Sequence, residues 1–187
     1  ILSGLHTPDE GEMLLRGEPV QFASPAEAKA RGIGMIYQEL SCMPALSVAE
    51  NVFLGSQPTK GGLVDWGRMR REAAQHLGVM GIDVDVTAPA STLSLGGQQL
   101  VEIARVVFSG ASIIVLDEPT SALDISVQAQ ILNLLVNLQQ QRNLTYVLIS
   151  HNVSVVGHVS DRVAVMYLGQ IVELGSAAQV LGEPRHP

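Results

Sequence analysis

The fold of this chain is decided by residues 113–124, whose sequence is IIVLDEPTSALD. The four apolar residues Ile113–Leu116 form a continuous run that is typical of a strand buried on both faces, as in a parallel sheet. Asp117 and Glu118 follow this strand directly. Ligands of open α/β sheets bind beyond the carboxyl ends of the strands, so this position favours a functional site. An Asp-Glu-Pro sequence taken alone is equally compatible with a loop that caps the next helix.

Two more predicted strands lead into polar residues. Ile33–Tyr37 is followed by Gln38, and Thr145–Ile149, which is also interpreted as a buried strand, is followed by Ser150 and His151. Helix-like segments separate these strands. Strands that alternate with helices predict an α/β fold with a mostly parallel sheet. Gln38, the two carboxylates and His151 would then converge on one edge of that sheet.

This set of side chains suits a magnesium–nucleotide site. One carboxylate can bind Mg²⁺ while the other polarises an attacking water, and the Gln38 amide oxygen can serve the metal or the water. His151 can donate to the γ-phosphate as negative charge builds there. Each residue alone has a simpler interpretation, since a Gln or a His after a strand is usually incidental; the combination favours the site. The other histidines are interpreted as incidental: His6, His76, His158 and His186.

The rest of the chain predicts a hairpin, several helices and a helical insert. Ser24 and Ser47 begin sequences typical of capping boxes, so a helix is expected after each. Residues 44–110 contain no strong strand and are interpreted as a helical subdomain inserted in the α/β core of a single domain that spans 1–187. The other expected elements are a hairpin within 12–22, helices at about 65–79, 94–108 and 125–140, and paired strands at 162–167 and 170–174.

A second motif, Leu93-Ser94-Leu95-Gly96-Gly97-Gln98-Gln99, precedes a helix-like segment. Ser and Gly at a helix start leave backbone N–H groups free to bind an anion, and the helix dipole adds to the attraction. The simpler interpretation is a glycine-rich loop that enters a helix. Next to the carboxylate strand, we favour the anion-binding interpretation.

Together these motifs resemble those of ATP-binding cassette (ABC) transporter ATPases, whose fold is P-loop NTPase-like. Residues 113–124 are similar to the family's Walker B strand and D-loop, and residues 93–105 are similar to its signature motif. Gln38 lies where the family has its Q-loop, and His151 where it has the switch histidine. The resemblance covers essentially all 187 residues.

The resemblance implies ATP and Mg²⁺ as cofactors and assigns roles to individual residues. Asp117 and Gln38 would bind Mg²⁺, Glu118 would polarise water as the catalytic carboxylate, and His151 would sense the γ-phosphate. Gln38 would also connect the metal to the membrane-facing surface, and Asp124 would communicate across a dimer with a second ATPase subunit. The residues that clamp the γ-phosphate of ATP held by that second subunit would be Ser94, Gly96, Gly97 and Gln98.

Two positions of the signature depart from the family pattern. Leu95 stands where Gly is usual, a variation that carbohydrate importers often show. Gly97 stands where Gln is usual.

The chain contains no phosphate-binding loop of the form G-x-x-x-x-G-K-[ST]. In the family, this Walker A loop and its helix precede the segment that resembles Ile1–Gly4. We therefore expect the N-terminal part of the domain to be missing, parallel strands to lack a neighbour, and apolar edges to be exposed. Whether the chain is an active enzyme stays open. The alternatives are a truncated, catalytically inactive remnant and an ABC ATPase of repair or translation, although the compact insert lacks the coiled-coil or basic additions that such roles need.

Composition bears on partners and location. The net charge is −7, with 11 basic and 18 acidic residues, which argues against nucleic acid as the main partner because phosphate contacts need a basic face. No apolar run approaches the roughly 20 residues that span a bilayer. The lone Cys42 excludes an internal disulfide and agrees with the cytosol. The expected location is peripheral, at the cytoplasmic face of the membrane, with an integral membrane permease as partner.

The cargo prediction differs between the two halves of the chain. In the front half, Tyr37–Leu40, Ser47–Gly55 and Gly62–Trp66 resemble ATPases of ribose-type sugar importers. In the rear half, His151–Val156 and Tyr167–Glu173 resemble those of oligopeptide and dipeptide importers. The sequence therefore predicts an importer ATPase that energises uptake of a sugar, with a peptide as the second possibility.

Overall fold

Helices and strands alternate through most of the chain in the computed structural model, which describes residues 1–186. This alternation confirms the predicted α/β class. The helices are α1 (Pro25–Ala30), α2 (Val48–Val52), α3 (Trp66–Val79), α4 (Leu95–Val107), α5 (Ile125–Arg142), α6 (Val153–Val159) and α7 (Ala177–Gly182). The strands are β1 (Met13–Leu15), β2 (Glu18–Val20), β3 (Ile33–Ile36), β4 (Thr59–Lys60), β5 (Leu63–Val64), β6 (Ile113–Asp117), β7 (Thr145–Ile149), β8 (Arg162–Tyr167) and β9 (Gln170–Ser176).

The sheet that organises the fold has three parallel strands in the order β3-β6-β7. Its middle strand is β6, and the predicted burial on both faces is confirmed because Ile114, Val115 and Leu116 are all buried. Leu116 is paired with Ile36 of β3 on one side, and Asp117 is paired with Ile149 of β7 on the other. Because the three strands run in the same direction, the polar residues that follow them lie along one edge of the sheet.

Strand β7 is not buried on both faces, contrary to the prediction. Val147 and Ile149 are 38% and 49% exposed, whereas Tyr146 and Leu148 pack towards the core. On its far side, no strand within residues 1–186 pairs with β7. One face of β7 is open to solvent, so the prediction of a strand buried on both faces, which was based on its apolar residues, was wrong.

Helix α4 joins the sheet to the helical part of the chain. It packs against β3 and also against α2 and α3. Val101, Ile103 and Ala104 are almost completely buried, and removing aliphatic side chains of the larger kind from water stabilises the fold by roughly 1.5–3 kcal/mol each. Within 44–110 the structure places these three helices and a short β4–β5 hairpin, which was not predicted. The division into a core and an insert stays a prediction.

The helix starts show how local sequence fixes the elements. At α2, Ser47 and Glu50 form the predicted capping box, in which each side chain accepts from the other residue's backbone N–H. At α1, Ser24 Oγ accepts from the Glu27 N–H, but the Glu27 carboxylate accepts from the Ala23 N–H instead of the Ser24 N–H. The predicted capping box at Ser24 is therefore wrong in one of its two bonds. The cap bond itself is present.

The predicted pair of late strands is confirmed as the antiparallel β8–β9 hairpin. Leu168 and Gly169 form its turn, and both have positive φ, 47° and 80°, the backbone that two-residue hairpin loops favour. Apolar side chains on this hairpin are exposed, including Met166 at 67% and Ile171 at 60%. None of the helices between residues 1 and 186 combines the length and the apolar character that spanning a bilayer needs.

Candidate functional site

The carboxyl edge of the β3-β6-β7 sheet carries the residues that the sequence singled out. Glu118 follows β6, and Ser150 and His151 follow β7; the structure brings these three into hydrogen-bond contact. Gln38 follows β3 on the same edge and is exposed. No hydrogen bond within the described residues joins Gln38 to Asp117 or Glu118. The sheet register therefore gathers part of the predicted site and leaves Gln38 at its margin.

Glu118 is held by the loop that follows β7. Its Oε1 accepts from the His151 backbone N–H at 2.8 Å and lies 2.5 Å from His151 Nδ1. The Ser150 hydroxyl donates to Oε2 at 3.3 Å. An ionised carboxylate can only accept, so the His151 Nδ1 carries the proton in this contact. His151 is otherwise open to water, with 81% of its side chain exposed, and its Nε2 is free to face a ligand.

The electrostatics of Glu118 favour the ionised form. Burial works to raise its pKa, but the hydrogen bonds from His151 and Ser150 outweigh burial and hold the pKa below its ordinary value. The residue also has φ of 47°, in the left-handed region, where a residue with a Cβ is destabilised by roughly 1–3 kcal/mol. This backbone turns the carboxylate from the end of β6 towards the end of β7. The site thus holds an ionised, positioned carboxylate beside a histidine.

The donor set at this edge is compatible with Mg²⁺. Asp117 ends β6, half-buried, and the Gln38 amide follows β3, the strand whose Ile36 is paired with Leu116. Residues 1–186 contain no group of three or more His, Cys, Asp or Glu side chains that could hold a metal by themselves. Mg²⁺ is commonly bound through one or two carboxylates with water and phosphate oxygens. A single carboxylate and an amide oxygen therefore fit Mg²⁺ that arrives with a nucleotide.

The start of α4 holds the second group of predicted residues. Ser94 is the N-cap, and its Oγ accepts from the Gly97 N–H at 3.2 Å. The Gln98 side-chain amide donates back to the Leu93 carbonyl at 3.2 Å. Ser94 itself is exposed. These hydrogen bonds are formed within the start of the helix itself. The N–H groups of the first turn that Ser94 does not cap remain suited to binding an anion.

Gly96 is the position of this motif that packing requires to be glycine. A Cβ on Gly96 would lie 2.6 Å from Val127 Cγ1 of α5, closer than real Cβ contacts come. Gly96 is buried, whereas Leu95 beside it is 45% exposed. The start of α4 and the first turn of α5 are thus in direct contact. Leu95 points away from this contact, which explains why a large residue is accepted there.

Asp124 begins α5 and acts as its N-cap. One carboxylate oxygen, Oδ1, accepts from the Ser126 hydroxyl at 2.7 Å and from the Ser126 and Val127 N–H groups at 3.1 and 3.0 Å. The hydroxyl bond and then the Val127 N–H hold the pKa of Asp124 below its ordinary value. Within one chain, Asp124 therefore has a structural role beside the predicted role across a dimer.

Sequence reasoning missed a buried polar cluster between the Gln38 loop and α4. We call Ser41, Glu102 and Arg105 the Glu102 cluster. Glu102 is 1% exposed; its carboxylate accepts from the Ser41 hydroxyl at 2.5 Å and from Arg105 Nη2 at 3.0 Å. Arg105 Nη2 also contacts Ser41 Oγ. Glu102 and Arg105 were visible only as an i, i+3 pair on a helix, since the partner at Ser41 lies far away in sequence.

His76 is more than incidental to the fold. Its ring stacks on Phe108 at a centroid distance of 3.9 Å, and Arg142 Cζ lies over the Phe108 ring, 4.0 Å from its centroid. Burial lowers the pKa of His76. The neutral ring therefore packs as part of the contact between α3, α4 and α5, away from the sheet edge.

Comparison with known proteins identifies the family of these motifs. The ABC transporter family model matches residues 1–121. The chain belongs to the ABC transporter family. It is 42% identical over 180 residues to the ribose import ATP-binding protein RbsA 2 of Rubrobacter xylanophilus, a match that covers 95% of this chain and 34% of that protein. It is also 62% identical over 122 residues to the probable D,D-dipeptide transport ATP-binding protein DdpF of Escherichia coli, covering 64% of this chain and 40% of that protein.

Solved structures of ABC proteins share the fold. The chain superposes with a TM-score of 0.82 and 26% identity on cbiO1 from Clostridium perfringens, part of an ABC transporter complex, covering 97% of this chain and 72% of that one. A dimeric ATP-binding cassette in a post-hydrolysis state with ADP and Pi gives a TM-score of 0.75 at 26% identity, covering 94% and 77%. Both kinds of relative that the sequence resembles, sugar and dipeptide transport ATPases, are found. The chain spans about a third of the length of the ribose import relative.

Proposed function

We propose that this chain provides the hydrolytic edge and the signature helix of an ATP-driven importer subunit that powers uptake of a sugar. The observation that carries this proposal is the Glu118 carboxylate, ionised and held by His151 at the carboxyl edge of the sheet, next to Asp117. Acid–base chemistry needs a carboxylate within reach of a water at that edge. The combination of Glu118 with a histidine and a metal-binding carboxylate supports phosphoryl transfer to water above other reactions.

In the proposed mechanism, each residue at the sheet edge has one task. Asp117 and the Gln38 amide would hold Mg²⁺, which would neutralise charge on the phosphates when bound. Glu118 accepts a proton from, and orients, the attacking water. His151 donates its Nδ1–H to Glu118 in a hydrogen bond. When the ring is doubly protonated, its Nε2–H can donate to the γ-phosphate, so the pair couples the water to the phosphate.

The proposed assembly is a dimer of ATPase subunits or halves. The start of α4, with Ser94 at its cap, would face the γ-phosphate of ATP held by the other subunit. Because Gly96 lies against Val127 of α5, a shift of the α4 start would displace the first turn of α5, which Asp124 caps. This contact supports the proposed communication through Asp124 across the dimer.

The proposed setting is the cytoplasmic face of a membrane, on an integral permease. The net charge of −7 favours a protein partner above nucleic acid. The ribose import relative covers nearly the whole chain, and the dipeptide transport relative about two thirds of it. We therefore place a sugar first and a peptide second as cargo.

The test needs a phosphate-binding loop, which residues 1–187 do not contain. A fusion subunit would join these residues to a preceding segment, taken from an ATPase of the family, that carries the G-x-x-x-x-G-K-[ST] sequence. Cells that lack their own importer ATPase would receive the fusion subunit with either a ribose permease or a dipeptide permease. Sugar uptake that Glu118→Gln abolishes is the expected result. Peptide uptake without sugar uptake would reverse the cargo assignment. If the cells take up neither solute and the fusion subunit does not hydrolyse ATP, the proposed function would be contradicted.

A further inference from the structure

The Glu102 cluster lies where the loop after β3 crosses helix α4. Ser41 is bound there through its side chain and its backbone: its N–H donates to Glu102 Oε2 at 3.3 Å, and its carbonyl accepts from Arg105 Nη1 at 3.4 Å. The Glu102 side chain is completely buried and that of Arg105 is 16% exposed. Ion pairs shielded from water in this way are directional and costly to leave half-formed. The loop is therefore fastened to α4 at one residue.

The backbone on both sides of residues 37–40 is held in place by packing and hydrogen bonds. Before it, Ile36 is fully buried and paired with Leu116 in the sheet. After Ser41, the buried Asn51 side chain accepts from the Met43 N–H at 2.7 Å and donates to the Met43 carbonyl at 3.0 Å. Between these anchors lie residues 37–40, which include the exposed Gln38. The position of Gln38 therefore depends on the sheet at one end and on α4 at the other.

Helix α4 extends from this cluster to the signature residues. Glu102 lies seven residues after Leu95, the first residue of the helix, which is about 10 Å along the axis at 1.5 Å per residue. The helix between them is continuous, and its buried residues are Gly96, Gln99 and Val101. A rigid helix transmits a displacement of its middle to its start. The start carries Ser94 at its cap and Gly96 against Val127.

We propose that Glu102, with Ser41 and Arg105, is a positioning residue that ties Gln38 to the signature helix, so that metal binding at Gln38 and phosphate binding at the α4 start change together. This inference rests on the proposed function. The competing explanation is a cluster that only stabilises the fold. The two differ in one respect: a positioning role acts through Gln38, whereas a stabilising role does not depend on it.

A double-mutant cycle on ATP turnover in the fusion subunit separates the two explanations. Ser41→Ala removes the central hydroxyl with little change of volume, and Glu102→Gln keeps the shape of the side chain while removing the charge that faces Arg105. Each would be measured alone and together with Gln38→Ala. Glu72→Gln is the matched control, because it removes another helical carboxylate that pairs with an arginine, Arg68, but at the surface. Melting temperatures would be recorded for every variant.

We expect Ser41→Ala to lower turnover about fivefold or more when Gln38 is present and less than twofold in the Gln38→Ala background. Its shift in melting temperature should be the same in both backgrounds, and Glu72→Gln should leave turnover unchanged. Equal losses of turnover in both backgrounds would overturn the inference. If Glu102→Gln does not fold, the Ser41→Ala cycle decides alone.

The outcome for the proposed function is read separately. If Glu118→Gln abolishes turnover while Gln38→Ala leaves it unchanged, the hydrolytic site stands and the inference about the Glu102 cluster fails. If Glu118→Gln leaves turnover intact, the proposed function itself fails.

Discussion

The sheet edge and the start of α4 form their contacts in different ways. At the sheet edge, Glu118 is bound to His151, 33 residues away in sequence. At the start of α4, Ser94 binds the N–H three residues ahead, and Gln98 binds the carbonyl five residues back. The first set exists only when β6 and β7 are paired in register, whereas the second needs little more than one helix turn. The contacts at the sheet edge are thus a property of the paired strands, and the hydrogen bonds at the start of α4 are largely a property of local sequence.

The largest expected effect concerns the sheet edge. In the fusion subunit, Glu118→Gln should lower ATP hydrolysis by about 10²-fold or more, because a neutral amide cannot take the proton of the attacking water. ATP affinity should stay within about threefold of the parent, since the substitution keeps the size of the side chain. Phosphate release with Mg-ATP and equilibrium ATP binding measure the two quantities.

Glu72→Gln serves as the control for Glu118→Gln, since it changes the same chemical group on the surface of α3. Hydrolysis within twofold of the parent in Glu118→Gln would remove Glu118 from the catalytic role. The sheet edge would then have no demonstrated catalytic role that the helix start lacks.

The next effect tests the contact between the α4 start and α5. Gly96→Ala should destabilise the fusion subunit by about 1–3 kcal/mol, because its Cβ would overlap Val127. Gly78→Ala, on α3 with open space around the new Cβ, should instead stabilise by about 0.5–1 kcal/mol through helix propensity. Denaturant unfolding measures both. Val127→Ala should restore part of the loss in Gly96→Ala.

If Gly96→Ala were as stable as Gly78→Ala, the close contact between α4 and α5 would be contradicted. The start of α4 would then be independent of α5, and Asp124 could not respond to it through Val127.

A smaller effect concerns the cap of α5. Asp124→Ala should lower the melting temperature at neutral pH by about 2–4 °C, because three hydrogen bonds to one carboxylate oxygen are lost. The pKa of Asp124 is held below its ordinary value, so its stabilisation is complete above the unfolded pKa of about 4. It is lost as the pH falls through the lower, folded pKa. The difference between parent and Asp124→Ala should therefore shrink as the pH falls below the unfolded pKa of about 4. A difference that grows on acidification would contradict this assignment.

The smallest effect belongs to the cap of α4. Ser94→Ala removes one cap bond, to the Gly97 N–H, and should lower the melting temperature by about 1–2 °C. A hydroxyl does not titrate in this range, so the shift should not depend on pH, unlike that of Asp124→Ala. A Ser94→Ala shift larger than that of Asp124→Ala would reverse the order of the two caps.

The sequence predicted what local patterns determine. The apolar run of β6, the polar residues after each strand and the cap at Ser47 could be recognised from neighbouring residues, and the predicted elements lie close to the observed ones. The exposure of Val147 and Ile149 on β7 could not be predicted, because it depends on what packs against that face of the sheet. The Glu102 cluster could not be predicted either, since Ser41 and Glu102 are 61 residues apart. The overlap of a Gly96 Cβ with Val127 likewise needs the packing of two helices.

We propose that the sheet edge of one copy and the α4 start of a second copy serve the same nucleotide site. Light scattering of the Glu118→Gln fusion subunit tests this proposal, because blocked hydrolysis should trap the ATP-bound assembly. With Mg-ATP the measured mass should double, and without nucleotide, or with Ser94→Arg added, it should stay that of a single subunit. A single-subunit mass with ATP fully bound would contradict the claim.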